Sequence, residues 1–287
     1  MLKNYLKTAF RNLFRNKFYA LINIIGLSVG LAVSLLIIFY INNELSFDHF
    51  HHQKDNIFRL IQIDEKPNES SKHCITMPVM GPDIAEEFPE IKHFVRFMSP
   101  REGFFTYDEK NYNASNLTYS DSALFDVFDF TLLEGNPETA LSEPFTIVLT
   151  KSLAHKIFGD KNPMGKFITF NKENQFKVTG IINDFPDNSH LQFSAIFSFA
   201  TLYQTIPEYH FNWNGGWSYY TYFLLEKNTK PEVLEKKLAD FYYEKINKRY
   251  EQSGWKVTPL LQPLTDIYLS SEVMYDSTVK GNLRSIY

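Results

Sequence analysis

The sequence predicts an α+β protein in which one N-terminal transmembrane helix precedes a large domain outside the membrane. Three observations predict it: a long apolar run near the N-terminus, two strand–helix–strand patterns, and a series of short strands between those two patterns. The chain has 287 residues, which is enough for one large core or two smaller ones.

Residues 20–41 form the apolar run and carry no charge. As a helix with a rise of about 1.5 Å per residue they would extend about 33 Å, which matches a hydrocarbon core of about 30 Å. A cleaved signal peptide is the alternative. Its apolar region is typically about 7–15 residues long and ends at a site of small residues, which this run lacks. We therefore predict a transmembrane helix over residues 20–41.

The charge distribution predicts the orientation of this helix. Residues 1–19 contain five basic side chains and no acid, so their net charge is +5. The net charge of the whole chain is −4, so the remaining residues carry −9. The positive-inside rule places residues 1–19 in the cytoplasm and the acidic domain on the opposite side of the membrane. An acidic domain also argues against nucleic-acid binding.

Residues 1–19 are further predicted to form an amphipathic helix in the membrane interface. Its apolar residues recur at helical spacing: Leu2, Leu6, Phe10, Leu13 and Phe14. A basic ladder at intervals of four residues runs beside them and would face lipid phosphates: Lys3, Lys7, Arg11 and Arg15. The alternative is a topology signal without fixed structure.

Small residues recur every four positions within the predicted span. Gly26, Gly30 and Ser34 would let a second helix approach closely, so they are predicted to form a helix–helix contact in the membrane. Because glycine is common in transmembrane helices, the alternative that these small residues contact no other helix is equally open.

The domain after the span contains two strand–helix–strand patterns. Their predicted elements are a strand at 57–64, a helix at 78–88 and a strand at 91–98, then a strand at 219–225, a helix at 231–246 and a strand at 255–261. Residues 103–200 lie between them and are dominated by short strands, at 104–107, 112–119, 145–150, 167–170 and 176–182, with helices at 122–128 and 151–158. We interpret them as a smaller β-rich lobe.

Two stretches carry a resemblance to a known family. The opening AFRNLFRNKFYALINIIGLSVGLAVSLLIIFYINNELSFDHFH resembles the start of MacB/FtsX-type ABC transporter permeases. The stretch ALFDVFDFTLLEGNPETAL, followed by TIVLTKSLAHKIFGDKNPMGKFITF and then FKVTGIINDFPDNSHLQFSAIFSF, is similar to the MacB-like periplasmic core domain. Its turn residues recur in the family's order: Gly135, Gly159, Pro163, Gly165 and Gly180.

The resemblance implies an architecture and partners. Residues 42–280 would be a MacB-like periplasmic core domain, a porter-like α+β lobe interrupted by the β-rich lobe, and residues 281–287 the start of a truncated second transmembrane segment. The expected partners are a cytoplasmic ABC ATPase on a separate chain, a second permease in a homo- or heterodimer, membrane lipid and a periplasmic adaptor. The expected location is the bacterial inner membrane.

The chain shows no catalytic signature, so we predict a non-catalytic subunit without cofactor or metal. The run from Gly159 to Lys166 approaches a phosphate-binding loop, but it has one residue too many between its glycines and Phe167 where Ser or Thr is needed. His49, His51 and His52 are interpreted as a solvated segment rather than a zinc site. His190 is expected to make a loop hydrogen bond, and the single cysteine, Cys74, to be an inert thiol.

An aromatic cluster surrounds Gly215 and Gly216. Trp213 and Trp217 would either contact a partner protein or pack on the core with the following tyrosines, and core packing is favoured.

Together these observations predict the permease subunit of an ABC-type transport or mechanotransmission system. Such a subunit would couple cytoplasmic ATP hydrolysis to periplasmic work such as efflux. The alternative is the extracytoplasmic sensing domain of a membrane signalling receptor. An anchored periplasmic enzyme is a third and weaker possibility.

Overall fold

The computed structural model describes residues 1–98, 101–213, 215–270 and 273–282, without the side chains of Leu2 and Leu6. The chain divides into two compact units, residues 1–46 and the residues from Phe47 onward. The predicted start of a second transmembrane segment at 281–287 lies outside the described residues except for Gly281 and Asn282.

The first unit consists of two helices, α1 (Leu2–Arg15) and α2 (Lys17–Glu44). They are separated by Asn16, whose φ of −116° and ψ of 54° are not helical. A helix is therefore present near the N-terminus, but it ends at Arg15, and Lys17–Tyr19 belong to α2; its position in the membrane interface remains a prediction. Within the described residues, α2 is the one helix that is long and apolar enough to cross a membrane, and it contains the predicted span.

The second unit contains strands and helices mixed along the chain, as the α+β prediction requires. The strands are β1 (Ile57–Lys66), β2 (Glu69–His73), β3 (Ile91–Met98), β4 (Arg101–Tyr107), β5 (Lys110–Ser120), β6 (Leu132–Gly135), β7 (Thr146–Thr150), β8 (Phe167–Phe170), β9 (Asn174–Ile182), β10 (Ala195–Ser198), β11 (Tyr219–Leu225) and β12 (Lys256–Pro263). The helices are α3 (Met80–Glu87), α4 (Leu124–Val127), α5 (Lys151–Phe158), α6 (Leu202–Thr205) and α7 (Pro231–Lys245).

The two predicted strand–helix–strand patterns combine into one antiparallel sheet. Its strand order is β3-β11-β1-β12, so β11 inserts between the two strands of the first pattern. Helices α3 and α7 cover one face, where Ile84, Leu234, Leu238 and Phe223 form an apolar cluster. Pro231 stands in the first turn of α7, where a proline costs no helical hydrogen bond.

The strands between the two patterns form a closed ring. Pairing runs β5-β4-β8-β9-β7-β10, and β10 then pairs in parallel with β5, which closes a six-stranded barrel. Phe105, Phe176 and Phe197 fill its interior. Closure leaves no free strand edge within the ring, which removes a site of uncontrolled pairing.

The second face of the antiparallel sheet is also buried. It packs against Phe128 and Phe193, on segments that flank the barrel strands. Because side chains alternate along a strand, Ile57, Arg59 and Ile61 all lie on this face. An arginine is therefore placed within an apolar cluster.

Three strands were not predicted. Strand β2 is polar throughout and forms by pairing with the end of β1, whereas β6 and β10 contain only four residues each. None of the three alternates between apolar and polar residues, which is the pattern by which a strand is recognised. The bounds of the β-rich lobe at 103–200 and of the core domain at 42–280 remain predictions.

Candidate functional site

A buried chain of hydrogen-bonding groups begins just after helix α2. Asp48, His190 and Tyr222 are each 0% exposed. The Asp48 carboxylate lies 2.8 Å from Nδ1 of His190, and Nε2 of His190 lies 2.8 Å from the Tyr222 hydroxyl. The His190 backbone N–H also donates to Asp48, at 3.2 Å. The segment that follows the membrane helix in sequence is thereby attached to strand β11.

A second buried group lies beside the first. Arg59, on β1, is 0% exposed, and its guanidinium lies 2.7 Å from the carboxylate of Asp276, which is 2% exposed. Lys280 binds the same carboxylate at 2.6 Å. Arg59 also donates to Oε1 of Gln262, at 2.7 and 3.1 Å. Two cations thus surround one buried anion.

The pKa values follow from this arrangement. Burial acts to raise the pKa of Asp276, but the charge of Arg59 and hydrogen bonds from Lys280 and Thr278 outweigh it and hold the pKa well below its usual range. Burial raises the pKa of Tyr222 well above its usual value, so its hydroxyl stays protonated and can donate to His190. Burial also raises the pKa of the Cys74 thiol to about 12, which agrees with an inert thiol.

The interpretation of all three neighbouring histidines as solvated was wrong for His51. Its side chain is buried, with its ring edge-on to Phe128 and Phe130, whereas His49 and His52 are exposed. The backbone N–H of Asp129 donates to Nδ1 of His51 at 3.0 Å, which requires that nitrogen to be unprotonated. Burial accordingly lowers the pKa of His51 to about 4.

His190 makes more than the expected loop hydrogen bond. Both of its ring nitrogens are engaged, one by Asp48 and the other by Tyr222. A general base needs a free nitrogen that substrate can reach, so this carboxylate–histidine–hydroxyl series is structural rather than catalytic. Within the described residues, no three His, Cys, Asp or Glu side chains are grouped closely enough to hold a metal ion.

The predicted aromatic residues lie on a small cavity of about 180 Å³. All three tryptophans of the chain line it: Trp213, Trp217 and Trp255. Trp213 donates from Nε1 to Asp83 at 2.6 Å and packs against α7, so it is partly a core residue. Lys245 lines the same cavity, with its ammonium 5.8 Å from the Trp213 ring.

A family model described as the MacB-like periplasmic core domain matches residues 20–241. This chain belongs to that family. The fold resembles a solved domain assigned to a permease protein of Porphyromonas gingivalis, with a TM-score of 0.65 and 20% identity over 82% of this chain and 97% of that one. A comparison with curated protein sequences gives no match.

Two further solved structures from transporters match with a lower TM-score. The periplasmic region of MacB from Actinobacillus actinomycetemcomitans has a TM-score of 0.48 and 18% identity, over 70% of this chain and 87% of that one. The extracellular domain of the ABC-type transporter YknZ from Gram-positive bacteria has a TM-score of 0.48 and 17% identity, over 70% of this chain and 99% of that one.

In this member of the MacB-like family, the predicted membrane residues lie on the two N-terminal helices. The basic ladder is exposed on α1: Lys3, Lys7, Arg11 and Arg15. Gly26 and Gly30 lie on α2, and a Cβ added at either would meet no atom within 4 Å in the described part of the chain. Ser34 donates to the Gly30 carbonyl at 2.9 Å, within the helix. Their helix–helix and lipid contacts remain predictions.

The MacB-like domain contains functional candidates that sequence reasoning missed. Asp48, Arg59 and Asp276 belong to no motif, and their partners are far away in sequence: Asp48 and His190 are 142 positions apart. One signal was available. Arg59 interrupts an otherwise apolar strand start, and a charge at such a position is seldom buried without a partner.

Proposed function

We propose that this chain is the permease subunit of a MacB/FtsX-like ABC system that transmits the work of a cytoplasmic ATPase to the periplasm. The observation that carries the proposal is a MacB-like periplasmic core domain joined to an apolar helix by a very short connection. Helix α2 ends at Glu44, and Asp48 is already buried in the domain. Three residues reach at most about 10 Å, so movement of the helix end is transmitted to the domain rather than absorbed.

The charge distribution supports a location in the bacterial inner membrane with the N-terminus in the cytoplasm. The five cations of residues 1–19 would face anionic lipid and lie on the side of ATP, and the acidic domain would lie in the periplasm. The ATPase would be supplied by a partner chain. The run from Gly159 to Lys166 is a turn between α5 and β8, not the strand-to-helix turn of a phosphate loop. Two such permeases would pair through α2.

Co-purification tests this function. We would purify the full-length chain from its own bacterial membranes in mild detergent and identify the proteins that accompany it. Recovery of a chain with a phosphate-binding loop, together with ATP hydrolysis by the complex, supports the proposal. Recovery of a signalling kinase supports the receptor alternative instead, and recovery of the chain alone, after crosslinking in the membrane, contradicts an ABC system.

We further propose that the tryptophan-lined cavity binds a periplasmic adaptor. Trp213 and Trp217 are partly exposed there, and Lys245 and Arg249 add positive charge, which suits an acidic and apolar segment of a partner. Because every tryptophan of the chain lines this cavity, the tryptophan fluorescence of the protein reports binding there directly. Trp217→Ala should weaken adaptor binding at least tenfold, whereas Tyr209→Ala, a change at an exposed residue outside the cavity, should not.

A further inference from the structure

Two segments of the chain converge on the same pair of strands. The connecting segment (Phe47–His51) follows the membrane helix, and the C-terminal segment (Val273–Asn282) is the last described part of the chain. The first is attached to β11 through Asp48, and the second to β1 through Asp276. Strands β1 and β11 are neighbours in the sheet.

The C-terminal segment is attached at several further points. The Ser277 backbone N–H donates to the Tyr220 hydroxyl at 3.1 Å, and that hydroxyl also donates to the Tyr275 carbonyl at 3.1 Å. The Lys280 ammonium donates to the carbonyls of Ile267 and Ser270, each at 2.9 Å. Apart from an isolated β-bridge between Met274 and His73, this segment has no regular secondary structure. Backbone N–H groups of Met274 and Gly281 add hydrogen bonds to the carbonyls of Lys72 and Tyr268.

The two attachments are connected to each other in two places. Arg59 and Tyr222 are register partners across β1 and β11, so the cation that binds Asp276 stands beside the hydroxyl that binds His190. The Val279 backbone N–H also donates to the His190 carbonyl at 3.0 Å. We name this group of six residues the buried polar network: Asp48, His190, Tyr222, Arg59, Asp276 and Lys280.

We propose that the buried polar network makes the connecting segment and the C-terminal segment release from the sheet as one unit. Separating the C-terminal segment leaves the buried Arg59 guanidinium without Asp276, and separating the connecting segment leaves Nδ1 of the buried His190 without Asp48. An unpartnered charge or polar group is costly in an apolar cluster. In this arrangement, half-released states are disfavoured, so the two segments are bound together or released together. The functional role of this coupled release rests on the proposed function, since a permease must transmit motion of the membrane helix to distant parts of the domain.

The single cysteine of the chain provides the measurement. Cys74 is 0% exposed, and its backbone N–H and Sγ face the Met274 carbonyl at 3.4 and 3.6 Å. The C-terminal segment therefore covers the thiol, and N-ethylmaleimide can label it only when that segment moves away. The labelling rate of the full-length chain in lipid nanodiscs, without nucleotide, reports this release.

The variant that tests the coupling changes Asp48 in the connecting segment, whereas the thiol that is measured lies under the C-terminal segment. Asp48→Asn preserves the side-chain shape, and asparagine tolerates the φ of +60° at this position. We expect Asp48→Asn to increase the Cys74 labelling rate at least fivefold, and Asp276→Asn at least tenfold. The double variant should be labelled no faster than about twice the rate of Asp276→Asn, because one event releases both segments. Ser189→Ala, which removes a 3.3 Å hydrogen bond to Asp48, gives a milder form of the same test if Asp48→Asn does not fold.

A control separates release from general unfolding. Ile168 lies in the barrel core, away from the buried polar network. Ile168→Val, or a larger truncation at the same position, is chosen so that it lowers the Tm as much as Asp48→Asn does. Equal labelling of this control and Asp48→Asn would overturn the proposal, and so would a wild-type rate in Asp48→Asn. The assay needs no ATPase, so its outcome is distinct from that of the co-purification.

Discussion

Arg59 and Tyr222 lie directly opposite each other on two neighbouring strands, and each binds a different end of the domain. The arginine binds Asp276 near the last described residues, and the tyrosine binds His190, the partner of Asp48. The sheet that contains both residues is buried on both faces by apolar clusters. Two polar side chains in this position have structural consequences that can be measured.

Replacing Arg59 should destabilise the protein strongly. Arg59→Met keeps the length of the side chain but leaves the Asp276 carboxylate, 2% exposed, without its main counter-charge, at a cost of about 3–5 kcal/mol. Denaturant unfolding of the full-length chain in detergent micelles measures this free energy. The double variant Arg59→Met, Asp276→Leu should recover at least half of the loss, because it removes the two fully buried charges and leaves only Lys280, whose side chain is 23% exposed. Equal loss in the single and double variants would contradict the assignment of the cost to Asp276.

His51 should make stability depend on pH. Its pKa is about 4 in the folded protein and 6.5 in the unfolded chain, so folding favours the neutral ring. This stability is fully present above about pH 6.5 and is lost as the pH falls toward 4, by about 3 kcal/mol in total.

The free energy of unfolding measured between pH 7.5 and 4.5 checks this expectation. His51→Asn is the matched control, because its amide oxygen can accept the hydrogen bond from the Asp129 N–H without titrating. The variant should show a shallower decline than the wild type over this range. Parallel curves for the two proteins would mean that His51 is not the titrating group.

The small-residue row should mediate pairing of α2. Leucine at Gly26 or Gly30 fits within the isolated helix but would hold a second helix away, so the dimer should weaken about tenfold, or ~1.4 kcal/mol. Energy transfer between labelled chains in liposomes measures the dimer fraction. Ala32→Leu enlarges a small residue elsewhere on α2 and should leave pairing unchanged. Similar effects of all three changes would remove the row's special role.

The basic ladder should bind anionic lipid. A peptide of residues 1–19 should partition into vesicles containing phosphatidylglycerol, with about 1 kcal/mol from each cation. Replacing Lys3, Lys7, Arg11 and Arg15 by glutamine should therefore reduce partitioning by about a thousandfold at low salt. A scrambled peptide of the same composition controls for charge alone, since it lacks the apolar stripe. Equal binding of the native and scrambled peptides would favour a topology signal without fixed structure.

Elements with strong periodicity were predicted within a few residues. The strand at Ile91–Met98 and the strand at Tyr219–Leu225 have the bounds that their apolar patterns indicate, and helix α7 begins at the proline that marks its first turn. Strand β2 was not predicted because Glu69–His73 contains no apolar residue whose pattern would indicate a strand. It forms because the turn after β1 brings it beside unpaired backbone groups.

The sequence by itself determined the apolar helix, the sign of charge on each side of it, and the two strand–helix–strand patterns, because each is encoded in neighbouring residues. Only the tertiary structure decided that His51 is buried, that β10 closes a ring by pairing with β5, and that Arg59 meets Asp276. These relations join residues far apart in the chain. Their free energy depends on burial and distance in space, and no local pattern records either.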